Sequence, residues 1–168
     1  MKSRALLPIL VFLVLHSFGF AQDTPDSLRG LAGVAVSVQG ITPEDERDGL
    51  SRATLQTDVE LRLRLAGIRV LTGEQVSNEP GRPQFIVLVL VYKATGNFDG
   101  YAKSIMAEMR QDVWLARNPS VVLPSAITWS SGRTVGLSNS GALQNDIRQN
   151  VADRVDEFIN AFLAANPK

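Results

Sequence analysis

The run QFIVLVLVY, residues 84–92, limits the choice of fold more than any other segment of the chain. It is about half the length a helix needs to cross a bilayer. Pro80, Gly81 and Pro83 stand before it, and Gly96, Asn97, Asp99 and Gly100 follow. β-Branched and aromatic residues between turn formers read as a strand. Side chains alternate faces along a strand. Phe85, Val87, Val89 and Val91 therefore point one way, and Ile86, Leu88, Leu90 and Tyr92 the other. A half-exposed strand is polar on one of its faces. This one is apolar on both, so each face needs cover, from the chain itself or from something else.

The other segments indicate what the chain can supply. Val34, Val36 and Val38 alternate with smaller residues and predict a first strand. Thr42-Pro43-Glu44-Asp45 has a capping residue, a proline at the first position and acids in the first turn, which predicts a helix start. Gly49 breaks that turn, and Ser51 caps the main helix. Leu55, Val59, Leu63 and Ala66 form its apolar stripe, widened by Leu61 and Leu65. Asp58 with Arg62 and Glu60 with Arg64 are spaced as acid-before-base pairs on a solvated face. Residues 68–71 read as a second strand and 78–83 as a loop. Residues 94–100 read as a hairpin connection into a long segment, 101–117, whose pattern fits both helix and strand. The turn before it and the apolar strand beside it favour a strand. After a turn at Asn118-Pro119-Ser120, residues 126–130 read as a fifth strand and the Gly/Ser-rich stretch 132–141 as a flexible connection. Leu143, Ile147, Val151, Val155, Phe158 and Phe162 recur at helical spacing and predict a long amphipathic helix ending near Asn166-Pro167. The order β-α-β-β-β-β-α points to an α/β fold of the α+β two-layer type, with two helices on one face of a mixed, mostly antiparallel sheet. Residues 22–168 then form a single domain.

Residues 1–21 do not belong to that domain. Lys2 and Arg4 precede an apolar core, and Gly19-Phe20-Ala21 places small residues at a cleavage site, which together read as a secretory signal peptide. A retained membrane anchor is the other reading. It fits less well, because the apolar stretch is short and ends in small residues. No cysteine follows the core to take a lipid. The expected product is periplasmic or secreted, begins near Gln22 and has no stable membrane anchor. Cleavage leaves 15 basic against 17 acidic groups, a formal charge of −2, which gives no reason to expect nucleic acid.

Loss of the leader also narrows the chemistry. His16 is the only histidine and leaves with the leader, and the chain has no cysteine. Ser-His-Asp and Cys-His catalysis, and the usual zinc, copper and haem ligand sets, are then unavailable. The expectation is no catalytic residue, no cofactor and no metal. The cluster Glu44, Asp45, Glu46, Asp48 lacks the alternation and closing Glu of a calcium loop, and helix-start acids account for it. The stretch 130–136 lacks the Gly-Lys-Ser/Thr of a phosphate loop. Glu108 and Asp112 lie about 13 Å apart if they share a strand, too far for a glycosidase pair. Trp114 and Trp129 are expected to fill a core or an interface rather than stack on sugars.

The stretches 57–71 (TDVELRLRLAGIRVL), 110–120 (RQDVWLARNPS) and 158–167 (FINAFLAANP) resemble those of a family of small exported bacterial proteins, which implies no activity that can be carried over. In order of elements, the chain is similar to the anticodon-binding-like envelope domains. These include the amino-terminal domain of the Tol-Pal translocation protein and domains of lipopolysaccharide-assembly and curli-secretion lipoproteins. The resemblance implies an assembly or docking role. Unlike the lipoproteins, this chain has no cysteine to acylate.

Helices on one side leave one face of the 84–92 strand uncovered. The expected interface is Ile86, Leu88, Leu90 and Tyr92, or the opposite set Phe85, Val87, Val89 and Val91, if the helices choose the other face. Its occupant is a second copy in a homodimer, an envelope protein partner, or a segment of the same chain. A cofactor-free hydrolase working through carboxylates or tyrosine, and a carrier of an apolar ligand, are the alternatives to a non-enzymatic binding module.

Overall fold

The computed structural model describes residues 26–94 and 99–167. After a 3-10 turn at Asp26–Leu28 come β1 (Ala35–Gln39), α1 (Pro43–Arg47), α2 (Arg52–Leu65), α3 (Gly73–Asn78), β2 (Gln84–Lys93), β3 (Gly100–Leu115), β4 (Asn118–Ser130), β5 (Thr134–Asn139) and α4 (Leu143–Ala165). The sheet runs β1-β2-β3-β4, with β5 also paired to β3. Only β1 and β2 are parallel; the remaining pairs are antiparallel. The helices lie on one side, as the α+β expectation requires.

Local chemistry places the elements. The Thr42 hydroxyl caps the Asp45 N–H, and the Asp45 carboxylate returns to the Thr42 backbone, a closed capping box. Ser51 caps α2 through the Thr54 N–H at 3.2 Å. At its far end Gly67 adopts φ +82°, its N–H bonds to Arg64 O, and the Ile68 N–H bonds to Leu63 O at 2.9 Å. This left-handed closure satisfies two terminal carbonyls. The 23 residues of α4 bury the predicted stripe completely. Across the layers Phe85 stacks on Phe158 at 4.3 Å, and Trp129 meets the Phe158 edge at 5.3 Å. Side chains of this kind contribute about 1.5–3 kcal/mol each on burial, so this triple contact anchors the sheet to α4.

Several expectations need correction. Residues 68–71 are not a strand: Val70 makes a single parallel bridge to Val34. The stretch 132–141 is not a flexible connection, since β5 occupies most of it and pairs with the first half of β3. The expected turn at 118–120 is already strand, and the chain reverses at Ala116 and Arg117. Within the polar stretch after residue 72 a short helix forms, capped by Thr72. Leu61 and Leu65 do not widen the buried stripe of α2 but are exposed. Glu60 and Arg64 pair at 2.9 Å, whereas Asp58 and Arg62 turn away from each other to Arg148 and Asp156 of α4. Ahead of β1, Leu28 is fully buried. Much of the 94–100 connection, and all of the expected leader, lie outside the described residues. The strand alternative for 101–117 holds, with β3 covering most of it.

β3 is long because one of its edges serves two partners. Its first half, Gly100 to Ile105, pairs with β5, and its second half, Glu108 to Leu115, pairs with β4. Three strands stand at the edges of the sheet, β1, β4 and β5, and the first two are protected differently. The outer edge of β1 is closed by the Gln56 side chain of α2, whose amide accepts from the Val38 N–H at 3.0 Å and donates to Val36 O at 2.9 Å. β4 carries Pro119, Pro124 and three breaks of register against β3, features that spoil an edge for strand addition.

Candidate interaction face

Register decides which face is open. Phe85, Val87, Val89 and Val91 are all buried in the core under α2 and α4, together with Val38, Ile105 and Met109 from the neighbouring strands. The opposite set points away from the helices, so it is the one that the helices leave uncovered. It needs one amendment. Ile86 is only 3% exposed, flanked by Ser37 and Glu108 on the adjacent strands. Leu88 and Leu90 are half-buried, and Tyr92 is 66% exposed.

Following the pairing outward extends this face to residues the sequence analysis did not assign to it. Ala102 pairs with Leu137, Ser104 with Val135, Arg110 with Ile127 and Trp114 with Val122. Ala102, Ser104, Met106, Glu108, Arg110 and Trp114 alternate on the same side of β3 as the reverse set of β2. Val135, Leu137, Ile127, Val122 and Trp114 are all exposed, Trp114 at 62%. One face thus collects exposed apolar side chains from four strands. The signal for β5 was present as alternation in Thr134-Val135-Gly136-Leu137-Ser138, but glycine and serine obscured it. Trp129, by contrast, belongs to the core.

The charges on this face are largely engaged with one another. Arg110 reaches Glu108 at 2.7 Å. Arg133 bonds to the Ser104 hydroxyl at 3.0 Å and lies against the Met106 sulfur. Asp112 accepts from Arg82 Nε at 2.6 Å and from the Ser125 N–H at 3.0 Å. The Arg82 and Ser125 bonds hold the Asp112 carboxyl below the usual carboxylate range, and the same contact raises the Arg82 guanidinium. Glu108 and Asp112 are therefore each engaged by an arginine, and neither converges with the other on a common space.

The remaining candidates have structural tasks. In the acidic cluster, Asp45 closes its capping box, Glu44 pairs with Arg47, and Asp48 accepts from the Tyr101 hydroxyl at 2.7 Å. That last bond raises the Tyr101 phenol above its ordinary value. In the 130–136 stretch, the Ser131 hydroxyl accepts from the Ala107 N–H and donates to Gly132 O, which uses it within the sheet. Among the described residues no three carboxylates stand together as a metal site, and no helix is long and apolar enough to cross a membrane. A groove of about 800 Å³ opens between α2 and α4, lined by Leu61, Leu65 and Ile159 and spanned by the pairs Arg62–Asp156 and Arg148–Asp58.

No protein family matches the chain, and no curated protein does so at a significant level. Among solved structures it is similar to a variant of PelC from Paraburkholderia phytofirmans, a dodecamer. The identity is 17%, 76% of this chain and 92% of that one are covered, and the TM-score is 0.38. So loose a superposition carries no argument about fold, partner or assembly.

Proposed function

We propose that the chain is a non-enzymatic binding or assembly module of the cell envelope, exported by its first 21 residues to the periplasm or beyond, that works by burying the back of its sheet. The supporting observation is the run of exposed apolar side chains on β2, β3, β4 and β5 opposite the helices. Exposed apolar side chains gathered on one face mark association sites on soluble proteins. The edges favour the same reading. With Gln56 closing β1 and prolines interrupting β4, strand addition is left to the six-residue β5, and the face offers more contact than that edge does.

Paired charge substitutions test this. Val89 lies in the core and Leu88 on the back of the same strand. Val89→Asp is expected to abolish cooperative thermal unfolding, because a core carboxylate has no partner there. Leu88→Asp is expected to keep a cooperative transition while light scattering reports loss of association. If both variants merely unfold a protein that was monomeric from the start, the proposal fails. A second reading, a carrier of an apolar ligand, draws its support from the groove between α2 and α4.

A further inference from the structure

We infer that the occupant of the back face is a second copy of this chain, paired face to face about a two-fold axis that lies between the sheets and crosses the strands near Met106 and Glu108. This rests on the preceding reading of the face as an interaction surface and adds the partner and the register.

Area comes first. Tyr92, Trp114, Val122, Ile127, Val135 and Leu137 are each between 44% and 71% exposed. They present on the order of 600 Å² of apolar surface, and half-buried Leu88, Leu90 and Met106 bring the face close to the ~800 Å² per partner of a standard interface.

Charge is the second argument. The face carries Glu108 and Asp112 against Arg110, Arg133 and the Arg82 that pairs with Asp112, three positive groups against two negative ones. An isologous interface sets a surface against itself, so a net charge on it would be met by the same charge. This face carries an excess of only one, and it offers little to a strongly charged partner.

The third argument is the arrangement around β3. β5 and β4 share one edge of β3, at its beginning and its end. Rotation about an in-plane axis across the middle of β3 exchanges those ends and leaves each strand edge on its own side. It lays β5 of one copy over β4 of the other, with Val135 on the partner subunit's Ile127. Tyr92 then covers the Gln84 end of the opposite β2, and Arg133 comes over the partner subunit's Glu108. Two sheets stacked in this way pack about 10 Å apart through interdigitated side chains.

The chain contains no cysteine, which makes the register directly testable. Val135 and Ile127 lie at the levels of Ser104 and Arg110, roughly 20 Å apart along β3, so they cannot bridge within one copy. Val135→Cys and Ile127→Cys are to be made singly and purified after export from the full-length sequence. The unmodified protein is expected to run as a dimer by sedimentation velocity over about 1 to 100 μM. Oxidation of the mixture is expected to yield a disulfide-linked dimer containing one chain of each variant, while either variant alone stays unlinked. Leu137→Asp is expected to give a monomer with an unchanged melting temperature. A dimer that links each single-cysteine variant to itself overturns this register. A monomer throughout overturns the pairing. In that case a hydrophobic dye bound by the unmodified protein and lost in Leu137→Asp leaves the interaction reading standing, and no dye binding removes that reading as well.

Discussion

Lys103 projects from the helix-facing side of β3, between Tyr101 and Ile105, and is 6% exposed. An ammonium there would oppose folding without a partner. Asp146, in the first turn of α4, supplies one, and the same carboxylate accepts from the Ser138 hydroxyl at 2.7 Å. The Lys103 and Ser138 bonds hold the Asp146 carboxyl below the usual range. A carboxyl depressed on folding stabilises fully above its ordinary pKa, and the contribution is lost as pH falls through the folded value. Asp146→Ala is expected to cost about 1–3 kcal/mol at neutral pH in chemical denaturation, because it strands the Lys103 charge. The partial exposure of Asp146 keeps the loss below that of a fully buried pair. The variant is also expected to show a flatter acid limb in stability measured against pH. Gly40 is a second sensitive point. It has φ +91°, and a Cβ there would run into the carbonyl oxygen of Val89. Gly40→Ala is expected to lower stability by ~1–3 kcal/mol, read as a lower melting temperature. Neither partner was legible beforehand. Lys103 looks like a flaw in an apolar face until α4 returns 43 residues later with its carboxylate.

Beyond Arg110 the β3–β4 hairpin outruns β2, whose pairing starts at the Gln84–Arg110 pair. A two-stranded ribbon is marginal alone, so its base needs a clamp. Asp112 is at that base. Its N–H donates to Gly81 O at 2.7 Å, and its carboxylate holds Arg82 and the Ser125 N–H. Arg82 and Ser125 are both left-handed, at φ 41° and 54°, so the carboxylate secures two conformations that side chains disfavour. Asp112→Asn is expected to speed hydrogen exchange at Trp114 and Val122 with little change at Val87. In the unmodified protein the same ribbon amides are expected to lose protection first as pH falls below the ordinary carboxylate range. The depressed Asp112 carboxyl contributes above that range and is lost below it. Elements differed in how far the sequence exposed them. α4 was fully legible because six apolar residues keep a helical period over five turns. β5 was not, because its two apolar residues alternate with glycine and serine, and only pairing with β3 makes them a strand. The face of β2 that meets the helices was undecidable in principle. Both of its rows are apolar, and the choice is made by Val38, Ile105 and Met109 on strands that local pattern does not connect.

At the scale of the whole molecule, two kinds of contact join the layers, and magnitude separates them. Arg62–Asp156 and Arg148–Asp58 tie α2 to α4, each at 2.8 Å, with every one of these side chains between 38% and 49% exposed. Pairs so open to solvent contribute about 0–1 kcal/mol each and weaken with salt. Beneath them Phe158 is fully buried, stacked on Phe85 and met by Trp129 and Phe162. Truncating such a ring removes its transfer free energy and leaves a cavity that neighbours on two layers cannot fill. The same sheet is therefore fastened to its helices by grease on one side while its other side holds grease left exposed among the described residues, and the two should respond oppositely to mutation. Phe158→Ala is expected to cost ~3–5 kcal/mol in denaturant unfolding. Arg62→Ala combined with Arg148→Ala is expected to cost less than about 2 kcal/mol, and that cost should shrink in high salt. If the arginine pair proved the more damaging, the helices would be held by their surface straps, and the division between a sealed front and an open back would lose its energetic basis.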